Sequence, residues 1–124
     1  MTTMANTLSA VVKYEEDEFQ YSRDDITVIS GQNLALGAVL GKITASGKYT
    51  AYNTAGADGS QNAAGILTAA VNATAGDTAG VAIVRHAVIS KEALAWGASV
   101  TTTGHKDTAY AALKALGVIS RAFV

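Results

Sequence analysis

The residues that could do chemistry are few, and the first to consider is a glycine-flanked segment that ends in a lysine. Residues 41–48 read Gly-Lys-Ile-Thr-Ala-Ser-Gly-Lys, which superficially resembles a phosphate-binding P-loop. Five residues separate Gly41 from Gly47 where the motif has four, and Tyr49 stands where a Ser or Thr would bind magnesium. The segment is predicted to join two strands, so we expect no helix N-terminus to hold a phosphate. A nucleotide site is therefore not expected.

The two histidines offer little for catalysis or metal binding. His105 lies two residues before Asp107, an arrangement more typical of solvated loop residues than of a catalytic pair. His86 lies in an apolar run beside Arg85 and is interpreted as a half-buried structural histidine. The chain has no Cys and no Gly-x-Ser-x-Gly pattern, which excludes disulfides, thiolate metal sites and that kind of nucleophile. We expect no enzyme, no cofactor and no metal site.

An acidic run, Glu-Glu-Asp-Glu at residues 15–18, is the strongest local charge feature. Residues 1–25 carry two basic and six acidic side chains, while residues 26–124 carry seven basic and four acidic ones. A calcium loop needs alternating oxygen ligands and a glycine turn, which the run lacks. Two interpretations stay open, a solvated or disordered segment and an extended arm that binds a partner. Neither residues 1–25 nor residues 26–124 carry the dense stripe of basic residues interleaved with aromatics that nucleic-acid binding needs.

Residues 37–71 predict the scaffold around which the chain is organised. They predict two strands joined by a tight turn at residues 45–47, a polar surface loop at 53–62 and a third apolar strand from residue 64. Residues 25–30 predict a further strand, 81–89 one long core strand and 118–124 a terminal strand. Ser90 is predicted to cap a short helix at 91–96, and Asp107 or Thr108 a second helix at 109–116.

These elements predict a mainly β fold with one or two short helices in a compact single domain, preceded by the segment that is either solvated or disordered or an extended N-terminal arm. Residues 8–14 have the composition of a lone strand, which could pair with the domain or with another protein. Trp96 is interpreted as a core residue at a helix end, with an interface anchor as the alternative. No stretch approaches the roughly 20 apolar residues of a membrane helix, and no secretory signal is apparent.

The order and spacing of these motifs resemble the head decoration proteins of tailed bacteriophages, the lambda protein D family. The resemblance covers residues 21–124. The residues that carry it are Gly37-x-Val39-Leu40-Gly41-x-Ile43, Gly47-Lys-Tyr49, Asp58-Gly59, Ala64-Gly-Ile-Leu67 and the upstream Tyr21-Ser-Arg-Asp-Asp-Ile-Thr-Val28.

The resemblance implies a non-enzymatic capsid protein with a β-clip-like domain at residues 21–124 and a flexible arm at residues 1–20. Such proteins bind as homotrimers at three-fold sites of the expanded head and clamp the shell against DNA pressure. The implied partner is the major capsid protein, and the implied location is the outer capsid surface of the virion after synthesis in the host cytoplasm. The arm would order on the shell by adding to a capsid sheet. The residues predicted to bind the capsid are Leu8, Ser9, Ala10, Val11, Val12, Lys13 and Tyr14.

Two other functions are compatible with these residues. One is another structural trimer of the virion, associated with the tail or a fibre. The other is a small β-sheet module that binds a carbohydrate or a peptide. Such a module would present exposed aromatic side chains on one face, for which Tyr49, Tyr52 and Trp96 are the candidates.

Overall fold

A closed barrel of five strands lies at the centre of the computed structural model, which describes residues 11–15, 22–97 and 99–122. The side chains of Lys13, Tyr14 and Glu92 are outside that description. The strands are β1 Val12–Glu15, β2 Arg23–Val28, β3 Asn33–Leu34, β4 Val39–Lys42, β5 Tyr49–Ala51, β6 Ala63–Leu67, β7 Val71–Asn72, β8 Thr78–Ile83, β9 Ala87–Ser90 and β10 Val118–Arg121. A 3-10 turn at Lys91–Ala93 and the α-helix α1 at Thr103–Ala115 lie between β9 and β10.

The barrel has the strand order β2-β5-β4-β6-β8 and closes because β8 also pairs antiparallel with β2. The predicted hairpin is confirmed, since β4 and β5 pair antiparallel with Gly41 opposite Thr50. Gly47 takes a positive φ of +73° in the turn between them, a conformation that glycine adopts without steric cost. The polar loop follows β5, and β6 returns to pair with β4 as the apolar pattern predicts.

A second sheet packs beside the barrel in the order β1-β9-β10. Its central strand β9 is antiparallel to β1 and parallel to β10, so the 3-10 turn and α1 form the crossover between two parallel strands. The short strands β3 and β7 form a separate antiparallel pair. Taken together, the described chain is a mainly β single domain with one short α-helix.

Neighbouring apolar residues in the barrel strands serve two separate cores. In β4, Val39 belongs to the core shared with the helix and the second sheet, while Leu40 belongs to the barrel interior. Ile66 and Leu67 in β6 divide in the same way. Because successive side chains of a strand point to opposite faces, a strand buried on both faces reads as a continuous apolar run. This explains why the central segment lacks a clear polar alternation.

The prediction of one long strand over residues 81–89 is wrong. The run divides into β8, which ends at Ile83 in the barrel, and β9, which begins at Ala87 in the second sheet. His86 takes a φ of +47° at the break, and the Ser22 hydroxyl donates to its carbonyl oxygen at 2.8 Å. The histidine is exposed rather than half-buried. Both halves are buried strands, so the apolar pattern does not show where the chain changes sheets.

The helix predictions need correction at their starts. Ser90 makes no side-chain capping bond, and only the three-residue 3-10 turn follows it. The longer helix begins at Thr103, well before the predicted start, because the Thr102 hydroxyl oxygen accepts from the His105 backbone N–H at 3.2 Å. Gly117, at a φ of +86°, follows its last turn as predicted. The terminal strand is confirmed over Val118–Arg121.

Candidate functional site

The residues considered for catalysis are engaged in structural contacts. The Lys48 ammonium group pairs with the Asp77 carboxylate at 2.5 Å, and β5 rather than a helix follows the segment that resembles a P-loop. His105 Nδ1 accepts from the Thr101 backbone N–H at 3.2 Å, and Asp107 is exposed. Among the described residues, no three His, Cys, Asp or Glu side chains gather where they could hold a metal ion.

Gly41 is explained by packing rather than by ligand binding. A Cβ atom at this position would lie 2.4 Å from the Ser60 carbonyl oxygen and 2.7 Å from the Ser60 Cα. The polar loop therefore folds back directly onto β4, and only a glycine permits the approach. Ser60 is itself buried, and its hydroxyl and backbone N–H both donate to Asp58, which lowers the pKa of that carboxyl group.

A shallow groove of about 460 Å³ lies between the barrel and the end of α1. An ion pair between Arg85 and Asp24, at 2.8 Å, lines it, and Lys42 and Leu116 complete its rim. Burial, followed by the nearby Asp24 charge, raises the pKa of the Tyr49 hydroxyl in this groove. The groove is thus lined by charges of both signs, by the Tyr49 phenol and by the exposed His86.

The segment predicted to bind the capsid is partly integrated into the domain. Val11 is fully buried and packs against Gly37, where an added Cβ would come within 3.2 Å of a Val11 methyl group. Val12 begins β1 and pairs with Ile89 of β9. The strand predicted over residues 8–14 is therefore confirmed over residues 12–14, with the partner supplied by the same chain, and β1 continues one residue further, to Glu15. Leu8, Ser9 and Ala10, and the side chains of Lys13 and Tyr14, lie outside the described residues.

The far edge of β1 is the feature of this segment that could bind a partner. Within the described chain, β1 is an edge strand, paired only with β9. An edge strand presents unpaired backbone N–H and C=O groups, to which another extended chain can add. A register shift between Val12 and Tyr14 marks a bulge, a feature that limits uncontrolled pairing at sheet edges.

An ion pair fixes the end of β1. Arg23 Nε donates to Glu15 Oε2 at 2.8 Å and Arg23 Nη2 donates to Glu15 Oε1 at 2.6 Å, a bidentate geometry. The hydrogen bond to Glu15 raises the pKa of the Arg23 guanidinium, so its charge is permanent. Because Glu15 ends β1 and Arg23 begins β2, this pair ties together the two ends of the intervening segment, which carries the rest of the acidic run.

The sequence did not indicate a cluster of aromatic rings with lysines over them. Trp96 and Tyr110 meet edge to face with centroids 5.6 Å apart, and Tyr52 lies 6.5 Å from Trp96. Lys91 Nζ lies 4.5 Å from the Tyr110 ring centroid and Lys106 Nζ lies 5.7 Å from that of Trp96. Lys106 and Tyr110 share a face of α1 through their i, i+4 spacing, but their partners Trp96 and Lys91 come from outside the helix, so no local spacing indicates the cluster.

The aromatic residues proposed for a ligand-binding face do not form one. Tyr49 and Tyr52 are 8% and 2% exposed, and burial raises the pKa of the Tyr52 hydroxyl. Trp96 is half-buried and packs against the core shared by the helix and the second sheet. The rings are therefore chiefly structural, which removes the feature that a carbohydrate- or peptide-binding module would need.

A family model provides the remaining evidence. The model described as Bacteriophage lambda head decoration protein D matches residues 1–118. The chain belongs to this family. It is accordingly a structural protein of the phage virion that decorates the capsid, from a family of decoration proteins and not of enzymes. None of the curated proteins matches the chain. In the part of the chain that the structure describes, no helix has the length and apolar character to cross a membrane.

Proposed function

We propose that this decoration protein binds as a homotrimer at three-fold sites on the outer surface of the expanded head and clamps the shell against the pressure of packaged DNA. The observation that carries the proposal is the family match over residues 1–118, which includes the N-terminal segment as well as the folded domain. The domain itself contributes no catalytic arrangement among its described residues. The proposed role is mechanical, and the protein reaches the shell after synthesis in the host cytoplasm.

The partner is the major capsid protein, and the proposed contact uses residues 8–14. Val11 and β1 supply a fixed base, since Val11 is fully buried and β1 is hydrogen-bonded to β9. A chain that enters the domain at this point can extend from β1 onto the shell. Strand addition draws its affinity from backbone hydrogen bonds, so it does not need the distinctive side chains of a catalytic or cofactor site.

A trimer lets modest contacts produce firm attachment. Once one arm is bound, the effective concentration of the other two at their own sites rises, provided that all three can reach them. Attachment of neighbouring capsid subunits to one trimer would also resist their separation. Neither metal, cofactor nor nucleic acid is required for this mode of stabilisation.

The first experiment is co-sedimentation with expanded and unexpanded shells of the parent phage. We expect saturable binding to expanded shells alone, at three copies per three-fold site, and a higher temperature for DNA release from decorated heads. Binding to tail tubes or fibres instead would favour a different structural trimer of the virion. Failure to bind either kind of shell would contradict the proposal.

The arm is tested by truncation, and the structure determines where to cut. Deleting residues 1–20 would remove Val11 and β1 together with the arm, so a loss of binding could reflect damage to the second sheet. Deleting residues 1–10 keeps both. We expect this shorter deletion to abolish shell binding while leaving the thermal midpoint nearly unchanged.

The matched control replaces residues 1–10 with a Gly/Ser segment of equal length, which keeps the chain length but removes the sequence. It should bind as poorly as the deletion if specific arm residues make the contact. Undiminished binding by the deletion variant would show that residues 1–10 are not required. The capsid contact would then lie on the surface of the folded domain.

A further inference from the structure

A cavity of about 320 Å³ lies where the polar loop after β5 meets the first two turns of α1. We call it the loop–helix pocket, and it is lined by Tyr52, Thr54, Ala55, Gln61, His105 and Thr108. Two hydrogen bonds fasten the loop to the segment before α1, because the Thr54 N–H donates to the Ser99 hydroxyl at 3.1 Å and the Thr54 hydroxyl to the Ser99 carbonyl oxygen at 2.9 Å. The walls of the pocket are therefore held in place by contacts within the domain.

The Tyr52 hydroxyl is the first of three hydrogen-bond donors in the pocket. Tyr52 is 2% exposed, and its ring packs edge to face with Trp96 in the core on the helix side, so the ring and its hydroxyl lie on the side of the barrel that faces α1. The hydrogen bonds of this residue use its backbone, since the N–H donates to the Val39 carbonyl oxygen and the carbonyl oxygen accepts from Ser99. The hydroxyl has no partner among the described residues. A largely buried hydroxyl of this kind gains free energy when an acceptor reaches it.

His105 and Gln61 supply the other two donors, and one contact orients each side chain. His105 Nδ1 accepts from the Thr101 backbone N–H at 3.2 Å, so the proton of the neutral imidazole lies on Nε2. Gln61 Oε1 accepts from the Gly59 N–H at 2.9 Å, which leaves the amide nitrogen as the free end of that side chain. In the part of the chain that the structure describes, no acceptor pairs with His105 Nε2 or with the Gln61 amide nitrogen.

The pocket thus has a surplus of donors and no negative charge of its own. The hydroxyls of Thr54 and Thr108 already donate to backbone carbonyl oxygens, and none of the described residues that line the pocket carries a carboxylate. Asp107 lies two positions from His105, on a different face of α1. The first turn of α1 contains no acidic residue, and a helix favours negative charge at that end.

A carboxylate is the group that matches these donors. It accepts on two oxygens, and hydrogen bonds to an ionised acceptor are stronger than those between neutral groups. We propose that the loop–helix pocket binds a carboxylate through the Tyr52 hydroxyl, His105 Nε2–H and the Gln61 amide. An acidic side chain of the shell protein and a free small carboxylate share this chemistry, and the experiments below distinguish the two sources.

Propionate, which has the shape of a glutamate side chain, is the first probe. An NMR titration of the isotope-labelled full chain near pH 7, at constant ionic strength, should give saturable shifts at the Gln61 side-chain amide, at His105 Nε2 and at the Thr101 amide. Propionamide has the same shape without the charge and should bind at least about fivefold more weakly. Equal binding of the two probes, or no saturable binding of propionate, would overturn the inference.

Two variants test the geometry. Tyr52→Phe removes only an unpaired hydroxyl, so the thermal midpoint should not fall, whereas propionate affinity should drop at least about fivefold. Gln61→Glu keeps the oxygen that accepts from Gly59 and places a repelling carboxylate in the pocket, which should abolish binding. Gln32→Glu is the matched control, because Gln32 Oε1 also accepts from a backbone N–H, that of Ala51, outside this pocket. Wild-type affinity in both Tyr52→Phe and Gln61→Glu would contradict the proposed site.

Co-sedimentation with expanded shells then identifies the source of the carboxylate. If the shell protein supplies it, Gln61→Glu should weaken shell binding at least about fivefold, while Gln32→Glu binds like the wild type. If the ligand is a free small carboxylate, both variants should bind shells equally and differ only in their affinity for propionate. Both outcomes support the inference. The proposed function is tested separately, because it fails only if the wild-type protein does not bind shells.

Discussion

Gly41 shows how one residue can carry a misleading functional signal. In the sequence it opens a glycine-flanked, lysine-ended segment, whereas in the fold it lets the Ser60 backbone lie against β4. Gly59 supports the same contact from the loop side, since a Cβ atom there would lie 2.4 Å from the Lys42 carbonyl oxygen. Both glycines are needed because two stretches of backbone approach each other more closely than side chains allow.

Gly41→Ala should therefore destabilise the protein by about 1–3 kcal/mol, the usual cost of forcing extra volume into a packed site. The opposing atoms belong to backbone, so they cannot move aside as a flexible side chain would. Urea unfolding measures the change. Gly76→Ala is the matched control, because nothing lies within 4 Å of its Cβ position and its φ is not positive. That substitution should change stability by less than about 1 kcal/mol. Equal stability of the two variants would show that the loop does not rest on β4.

At the scale of elements, the weakest junction of the barrel is the one between β2 and β5. These strands are parallel and share only the pair Val28 and Tyr49, followed by a hydrogen bond from the Ile29 N–H to the Tyr49 carbonyl oxygen at 2.9 Å. Asp77 reinforces this junction from the turn before β8. Its carboxylate accepts from the Ser30 N–H at 2.8 Å and pairs with Lys48, so it joins the ends of both strands.

This arrangement predicts a pH dependence for Asp77. The hydrogen bond from Lys48, followed by that from the Ser30 N–H, lowers the pKa of the Asp77 carboxyl group in the folded protein. A folded-state pKa below the unfolded value, about 3.9, means that the carboxylate stabilises the fold above that pH. The contribution is lost as the pH falls through the folded-state pKa.

Thermal midpoints of wild type and Asp77→Asn, measured from pH 7 to pH 2, provide the test. The wild type should have the higher midpoint near pH 7, and the difference should shrink below about pH 4. Asp25→Asn is the control, since Asp25 is exposed and makes no ion pair with a described side chain. A difference for Asp77→Asn that persists unchanged to pH 2 would mean that the amide disturbs the turn by its shape rather than by its charge.

The sequence predicts elements well where their pattern is local. The β4–β5 hairpin, the return of β6 and the end of α1 at Gly117 all depend on turn residues and apolar spacing within a few positions. The break at His86 does not, because it is held by the Ser22 hydroxyl, 64 residues away in the chain. The start of α1 was missed because Thr102 caps a first turn of weak helix formers, including Gly104.

The candidate site could be predicted only in part, because it too depends on contacts between residues that are distant in the chain. A strand near the N-terminus was recognisable from composition, but its pairing with β9 depends on contacts between distant segments. The ring cluster combines Lys91, which follows β9, and Trp96 with two residues of α1, Lys106 and Tyr110, and only the fold brings them together. No local spacing contains that information.

At the scale of the whole molecule, the two cores share the same strands. Val39, Ile66 and Ile83 face the helix and the second sheet, while Leu40, Leu67 and Ala82 face the barrel interior. Each of β4, β6 and β8 thus contributes adjacent residues to both cores. Loss of either core would expose one apolar face of these three strands, so the two halves should not be stable separately.

We therefore expect the domain to unfold in a single transition. Trp96, the only tryptophan, packs against the core on the helix side, so its fluorescence reports that side, while far-UV circular dichroism reports all strands. The urea midpoints from the two probes should coincide, which is the signature of two-state unfolding. Leu113→Ala, at a fully buried position on α1, should lower both midpoints together at a cost of about 2–5 kcal/mol. A tryptophan transition that precedes the loss of circular dichroism would instead show that the helix and second sheet open before the barrel, and the shared strands would not make the domain cooperative.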